Sequence, residues 1–85
     1  MTIRLHEDVS VARTEYGSIL LDQASGQYCQ LNRTATVIVD ALGGGRTVEE
    51  AAAAVAERFE VDLETARRDV TALVGKLHAT GLVVA

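Results

Sequence analysis

The sequence predicts an α+β fold in which a three-stranded antiparallel sheet is followed by three helices. In the first third of the chain, short segments with strand character are separated by residues typical of tight turns. From residue 32 onward, apolar residues recur at the spacing of a helix. A good capping residue precedes each of the three helical patterns. Together these observations predict the order β-β-β-α-α-α.

The three strands are predicted from the pattern of their side chains. VSVAR and QYCQL alternate apolar and polar residues, and SILLD is a short apolar run. EYG and QASG separate them, so two consecutive hairpins give an antiparallel meander. The strands are predicted at residues 9–13, 18–22 and 27–31, with a short extended lead-in at residues 3–5.

Each helix is predicted from its cap and its apolar face. The second is the best marked, because Thr47 and Glu50 form a capping box. Glycines end the first and third helices, and the final LVVA is read as an apolar tail. The N-caps are Asn32, Thr47 and Asp62, and the terminating glycines are Gly43, Gly44, Gly45 and Gly81.

Length and composition narrow the class of protein. The chain has 85 residues, which predicts one domain over residues 1–85 with a modest core and little room for a deep catalytic cavity. A formal charge of −4 disfavours nucleic acid, because phosphate binding relies on a basic surface. A single cysteine and an N-terminus unlike a signal peptide predict a cytoplasmic protein without a membrane-spanning segment.

The residues that most often carry catalysis or bind metal are scattered. Cys29, His6 and His78 lie far apart and never in a paired ligand spacing. No serine has the context of a nucleophile elbow, and the glycines at residues 43–45 follow a helix rather than a strand. We therefore expect no catalytic residue, no metal site and no cofactor.

Several segments together resemble the PqqD-like family of precursor-peptide recognition elements. The resemblance begins at GQYCQLN and continues through LGG and the T-x-x-E cap. It then runs through FEVD into a third helix that closes as L-x-x-x-G-L-V, so that it spans about residues 9–84. A chain of this size is most similar to the stand-alone leader-binding proteins of lasso-peptide biosynthesis, and next to the chaperone of pyrroloquinoline-quinone biosynthesis.

The resemblance implies a winged helix-turn-helix-like fold that binds peptide rather than DNA. In this family the leader of a ribosomally made precursor adds as an antiparallel strand to the third predicted strand, in a groove beside the third helix. Lasso leaders carry a Y-x-x-P motif whose Tyr enters an apolar pocket. The implied partners are the precursor peptide, a transglutaminase-like leader peptidase and an asparagine-synthetase-like cyclase, with no nucleic acid and no membrane.

The edge of the third predicted strand agrees with this implication. Residues 27–31 contain neither charge nor proline, the usual protections of an exposed edge, and no later segment is predicted to pair with them. Such an edge is what strand addition requires. The alternative is that the N-terminal segment or a dimer partner covers it.

Carried over position by position, the family's peptide-binding surface comprises the third strand and one face of the third helix. We expect the pocket along Arg67, Val70 and Val74, with Asp69 and Leu73 as further contacts. The strand contributes Gln27, Tyr28, Cys29, Gln30 and Leu31.

A small winged-helix DNA-binding regulator is the alternative function. Three helices with a terminal strand can form that fold, and Arg67 and Arg68 would lie on its recognition helix. However, residues 62–80 contain equal numbers of acidic and basic residues, apart from histidine. A neutral recognition helix is unfavourable for approaching phosphates.

Overall fold

Residues 4–84, the part of the chain that the computed structural model describes, form five strands and three helices. Their order confirms the α+β prediction of a three-stranded antiparallel sheet followed by three helices. The strands are β1 (Arg4–Leu5), β2 (Val9–Thr14), β3 (Gly17–Asp22), β4 (Tyr28–Leu31) and β5 (Val83–Val84). The helices are α1 (Arg33–Gly43), α2 (Val48–Phe59) and α3 (Leu63–Ala79).

The larger sheet has the order β2-β3-β4, and both of its strand pairs are antiparallel. Glu15 and Tyr16 alone separate β2 from β3, whose ends pair as Thr14 with Gly17. The predicted meander is therefore confirmed. Each of the three strands differs from its predicted range by one residue at one end. The predicted third strand is β4.

A second sheet, which the sequence did not predict, joins the two ends of the described chain. β1 pairs antiparallel with β5, so that Arg4 lies opposite Val84 and Leu5 opposite Val83. The His6 N–H also donates to the Leu82 carbonyl at 2.9 Å. The apolar tail is thus a strand partner of the lead-in segment; the outer residues of these two segments, 3 and 85, lie outside the described range.

The predicted caps are confirmed at all three helices. Asn32 accepts from the Ala35 N–H at 2.8 Å, and Asp62 accepts from the Thr65 N–H at 2.7 Å. Thr47 and Glu50 form the reciprocal capping box, with bonds of 2.9 and 3.1 Å. These side chains satisfy N–H groups that a helix leaves unpaired at its start, which explains why the helices begin where they do.

Two buried clusters make up the core. One lies between the larger sheet, α1, α3 and β5, and the other lies among the three helices. Val48, Leu73 and Val74 pack against both clusters and connect them. The buried members are Leu20, Leu31, Val39, Leu77, Leu82 and Val83 in the first cluster, and Ile38, Leu42, Ala51, Ala52, Val55, Ala66 and Val70 in the second.

The sheet is fastened to α1 by a polar contact inside the core. Ser18 of β3 and Thr36 of α1 are both buried, and their hydroxyls are 2.8 Å apart. The Thr36 hydroxyl also lies 2.8 Å from the Asn32 carbonyl oxygen, to which it donates. Both hydroxyls are therefore satisfied, so the pair orients α1 on the sheet without an unpaired buried group. Within residues 4–84, no helix is long and apolar enough to cross a membrane.

Gly17 has a backbone conformation and a contact that other residues cannot share. Its φ is +153°, and a Cβ added there would lie 2.1 Å from the Leu31 carbonyl oxygen. We predict that Gly17→Ala lowers the free energy of unfolding by at least about 2 kcal/mol, measured by urea denaturation.

Gly75 provides the matched control for this substitution. It lies inside α3, and a Cβ added there would have no atom within 4 Å. Gly75→Ala should raise the free energy of unfolding by roughly 0.5–1 kcal/mol, because alanine loses less backbone entropy in a helix. A Gly17→Ala variant as stable as the wild type would contradict the close approach of β3 to the end of β4.

The free energy of unfolding should fall in acid, because hydrogen bonds in the folded protein favour the ionised form of three carboxylates. The Thr65 N–H lowers the pKa of Asp62, the Thr47 N–H lowers the pKa of Glu50, and the Ser25 hydroxyl lowers the pKa of Asp22. A group with a lowered folded pKa stabilises the fold above its unfolded pKa, here about 4, and loses that contribution as the pH falls through its folded pKa. The urea midpoint should therefore decline below about pH 4.

Asp62→Asn tests the role of one of these carboxylates. Asparagine is an equally good N-cap but does not ionise. This variant should keep α3 intact and show a shallower acid decline than the wild type. An unchanged decline would mean that Asp62 does not contribute to it.

Candidate functional site

The outer edge of β4 has no strand partner among residues 4–84. β4 pairs only with β3, and the N-terminal strand β1 pairs with β5 at another place in the fold. The described part of the N-terminal segment therefore leaves this edge uncovered. β4 is short, with four residues, and none of them is charged.

The register of β4 determines which of its backbone groups point outward. The Asp22 N–H donates to the Gln27 carbonyl at 2.8 Å, which makes these two residues a hydrogen-bonded pair. In an antiparallel ladder such pairs alternate with non-bonded ones. Cys29 and Leu31 therefore bond inward to β3, and the N–H and C=O groups of Tyr28 and Gln30 point to the open edge.

The side chains of β4 alternate with the same period. Leu31 is buried in the first core cluster, and Cys29 is half-buried against that cluster. Tyr28 is 73% exposed and lies opposite Leu21 on the other face of the sheet. The residues that anchor β4 thus differ from those that present backbone groups to the edge.

One cavity lies beside β4, and a second lies between α1 and α3, beyond the residue at which β4 ends. The first, of about 560 Å³, is bounded by residues 26–30 and by three residues at the C-terminal end of α3 and beyond: Lys76, Thr80 and Leu82. The second, of about 280 Å³, is at the end where β4 runs into α1. Its lining residues are Asn32, Thr34, Ala35, Ile38, Asp69, Ala72 and Leu73. We call the two cavities together the β4–α3 groove.

A single flank of α3 borders this groove. Asp69, Leu73, Lys76 and Thr80 follow each other at intervals of three or four residues, which places them on one side of a helix. Asp69 and Leu73, which the sequence analysis named as further contacts, lie here. The sequence analysis missed four residues of these cavities: Ala72, Lys76, Thr80 and Leu82. The first three could have been found, because they lie at helical spacing from Asp69 and Leu73 and so share their flank.

The other α3 residues in the predicted pocket lie elsewhere. Arg67 turns to α2, where its Nε donates to both carboxylate oxygens of Glu49, at 2.9 and 3.0 Å. Val70 is fully buried, and Val74 packs against both core clusters. None of the three lines either cavity of the groove, because α2 packs on their side of α3. Their contact with a peptide remains a prediction.

Other chemistry is sparse within residues 4–84. No group of three or more His, Cys, Asp and Glu side chains is placed to hold a metal ion. The Nδ1 of His6 accepts from the Asp8 N–H at 3.2 Å, and Cys29 is an unpaired thiol facing the first core cluster.

The chain matches a known family over most of its length. A family model described as coenzyme PQQ synthesis protein D (PqqD) matches residues 17–83. The chain belongs to the PqqD family. This confirms the resemblance seen in the sequence. A comparison with curated proteins finds none that matches this PqqD-family chain.

Two solved structures are similar to this PqqD-family chain along its length. One, "Lasso peptide synthetase B1 complexed with the leader peptide", is 40% identical and covers 100% of both chains with a TM-score of 0.91. The other, "TbiB1 in Complex with the TbiA(beta) Leader Peptide", is 25% identical, with a TM-score of 0.86. It covers 94% of this chain and 93% of its own. Both of these proteins have a leader peptide bound.

A proline scan of β4 tests the assignment of inward and outward backbone groups. Proline removes an N–H and is tolerated on an edge strand mainly where that N–H points outward. Tyr28→Pro and Gln30→Pro should remain folded, whereas Cys29→Pro and Leu31→Pro should lose at least about 2 kcal/mol or unfold. Circular dichroism with urea denaturation measures this. The reverse alternation would show that the register is wrong.

Proposed function

We propose that this PqqD-family protein is a non-catalytic adaptor for the leader of a ribosomally made, lasso-type precursor peptide. The leader adds as an antiparallel strand to β4 and lies in the β4–α3 groove. The observation that carries this proposal is the open β4 edge, where the backbone groups of Tyr28 and Gln30 face a groove rather than a neighbouring strand. Two similar proteins, both solved with leader peptides, support it.

Strand addition divides affinity and selectivity between two kinds of contact. Backbone hydrogen bonds to Tyr28 and Gln30 would pair with any extended peptide, and the cavities beside them accept side chains at alternate positions. The first cavity has an apolar wall at Leu82 and Cys29. An aromatic ring of the leader would bury against this wall, as the ring of the family's Tyr is expected to do.

The charges of α3 favour peptide over DNA. Arg67 and Arg68, the two residues that suggested a recognition helix, are both engaged with carboxylates, of Glu49 and Glu64 respectively. Residues 62–80 contain equal numbers of acidic and basic residues, apart from histidine, and the whole chain has a net charge of −4. With its arginines in ion pairs, α3 therefore lacks the excess of positive charge that phosphate contacts require. The groove also lies next to the open edge of β4. Such an edge can pair with the backbone of a peptide, but it has no corresponding role in binding DNA.

The family also supplies the proposed partners of the bound leader. We propose that the adaptor presents the precursor to a separate transglutaminase-like leader peptidase and to an asparagine-synthetase-like cyclase in the cytoplasm. The Arg13–Asp40 ion pair, with bonds of 2.9 and 3.0 Å, and the outer face of the sheet lie away from the groove residues. These surfaces stay accessible while a peptide occupies the groove.

Titration with the leader encoded beside this gene tests the proposal. Backbone pairing with one or two buried anchors supplies roughly 8 kcal/mol, which corresponds to a dissociation constant near 1 μM. We predict binding at or below that concentration by calorimetry. Changing the leader's Tyr to Ala should weaken binding by about 2 kcal/mol if that Tyr is the anchor.

Gln30→Pro separates strand addition from other modes of binding. This variant should stay folded and lose leader binding, because the outward N–H of Gln30 is removed. Val11→Pro is the matched control. The Asp8 carbonyl accepts from the Gln23 N–H, which sets the ladder so that Val11 points to the opposite edge of the sheet. If folded Gln30→Pro binds as tightly as Val11→Pro, the peptide does not add to β4.

A further inference from the structure

Two charged side chains of α3 border the β4–α3 groove and have no ion-pair partner among residues 4–84. They are Asp69, in the second cavity, and Lys76, in the first. The other acidic and basic side chains of this helix, apart from histidine, are engaged: Arg67 pairs with Glu49 of α2 at 2.9 Å, and Arg68 pairs with Glu64 within α3 at 3.4 Å. The unpartnered charges of α3 are thus of opposite sign and lie at opposite ends of one groove.

Helix electrostatics explain one of these charges and not the other. Lys76 is in the last turn of α3, where a cation is favourable beside the helix dipole. Asp69 lies in the middle of the helix, where the dipole gives no advantage to an acid. An acidic side chain at the border of a groove, without a partner in its own chain, is available to a cation on a bound peptide.

The positions of the two charges define a direction along the groove. Lys76 lies with residues 26–30, where β4 begins, and Asp69 lies with Asn32, where β4 ends. α3 and β4 therefore run in opposite directions along the groove. A peptide antiparallel to β4 runs in the same direction as α3, from Asp69 to Lys76.

We infer that this groove selects peptides by the order of their charges, with a basic residue beside Asp69 and an acidic residue beside Lys76. The acidic residue lies C-terminal to the basic one. This inference rests on the proposed function, since it takes the antiparallel addition of a leader to β4 as its starting point. Asp69 and Lys76 are then specificity-determining residues that choose the register and direction of the peptide.

The helix geometry sets the spacing of the two peptide charges. Lys76 follows Asp69 by seven positions, which corresponds to about 10.5 Å along a helix axis at 1.5 Å per residue. An extended strand covers that distance in about three residues. Side chains on the face that Cys29 and Leu31 share recur every second residue, so the acidic residue follows the basic one by two or by four positions.

The expected contribution of these contacts is selective rather than large. Asp69 and Lys76 are both exposed, and exposed ion pairs are weak because water and salt screen them. Pairs of opposite charge nevertheless favour one register, and like charges placed together disfavour the others. Main-chain pairing supplies the affinity, and the two charges select among the alignments that main-chain pairing permits.

A charge scan of the leader peptide tests the inference. Synthetic, fluorescently labelled copies of the leader encoded beside this gene carry Lys or Glu singly at each position of the strand-forming segment. Fluorescence anisotropy measures their binding to the wild type, Asp69→Lys and Lys76→Glu. The matched controls are Glu64→Lys and Arg68→Glu, which make the same changes of charge at two α3 residues that line neither cavity.

Each groove variant should shift the charge preference at one peptide position by about threefold to tenfold. Asp69→Lys should reverse the preference for Lys at the earlier position, and Lys76→Glu should reverse the preference for Glu two or four positions later. The controls should shift every peptide equally. Three results would overturn the inference while leaving leader binding intact. The two peptide charges could be preferred in the reversed order, both variants could act at the same peptide position, or the groove variants could behave as the controls do. A wild type that binds no leader would overturn the proposed function and, with it, this inference.

Discussion

The hydrogen-bonding phase of β4 is the constraint on which the arrangement of the candidate site depends. In a strand, the direction of the backbone groups and the face of the side chain both repeat every second residue. Cys29 and Leu31 therefore bond to β3 and also turn their side chains to the first core cluster. The intervening residues Tyr28 and Gln30 present their backbone groups outward and do not contribute buried side chains. Alternate residues of β4 therefore have different roles: Cys29 and Leu31 stabilise the strand, and Tyr28 and Gln30 form the open edge.

The close approach of Gly17 to the Leu31 carbonyl fixes this hydrogen-bonding register. The Leu31 carbonyl lies so near to Gly17 that a Cβ would not fit, and Ser18 beside it bonds to Thr36 of α1. A shift of β4 by one residue would expose Leu31 and bring Tyr28 and Gln30 to the core face, because every side chain would change sides. The first core cluster thus opposes a one-residue shift of β4, which would turn its outward backbone groups inward.

The position of α2 decides which flank of α3 borders the groove. Glu49 draws Arg67 to α2, and the small residues Ala51 and Ala52 allow close packing of α2 within the second cluster. The flank with Asp69 and Lys76 is left beside β4. A sequence pattern identifies the apolar stripe of a helix but does not say which neighbour covers each side of that stripe.

This explains what could be read from the sequence. The meander, the three caps and the open edge of residues 27–31 follow from local rules of spacing, turns and capping, and the structure agrees with them. The pairing of β1 with β5 joins segments more than seventy residues apart in the sequence, so no local rule predicts it. The pocket along Arg67, Val70 and Val74 depended on the tertiary position of α2. Asp69 and Leu73 line the groove because α2 takes the opposite side.

The position of the groove also bears on the risk of aggregation through an open strand edge. An exposed strand edge without charge or proline is a template for pairing with other sheets. Here α3 stands beside β4, and Lys76 and Asp69 border the space between them. A helix placed next to a strand edge is one of the ways in which proteins protect that edge. The two border charges add to this protection, because charged side chains beside an edge disfavour its pairing with an apolar strand. The same helix that borders the groove for a peptide thus also protects the strand edge beside it.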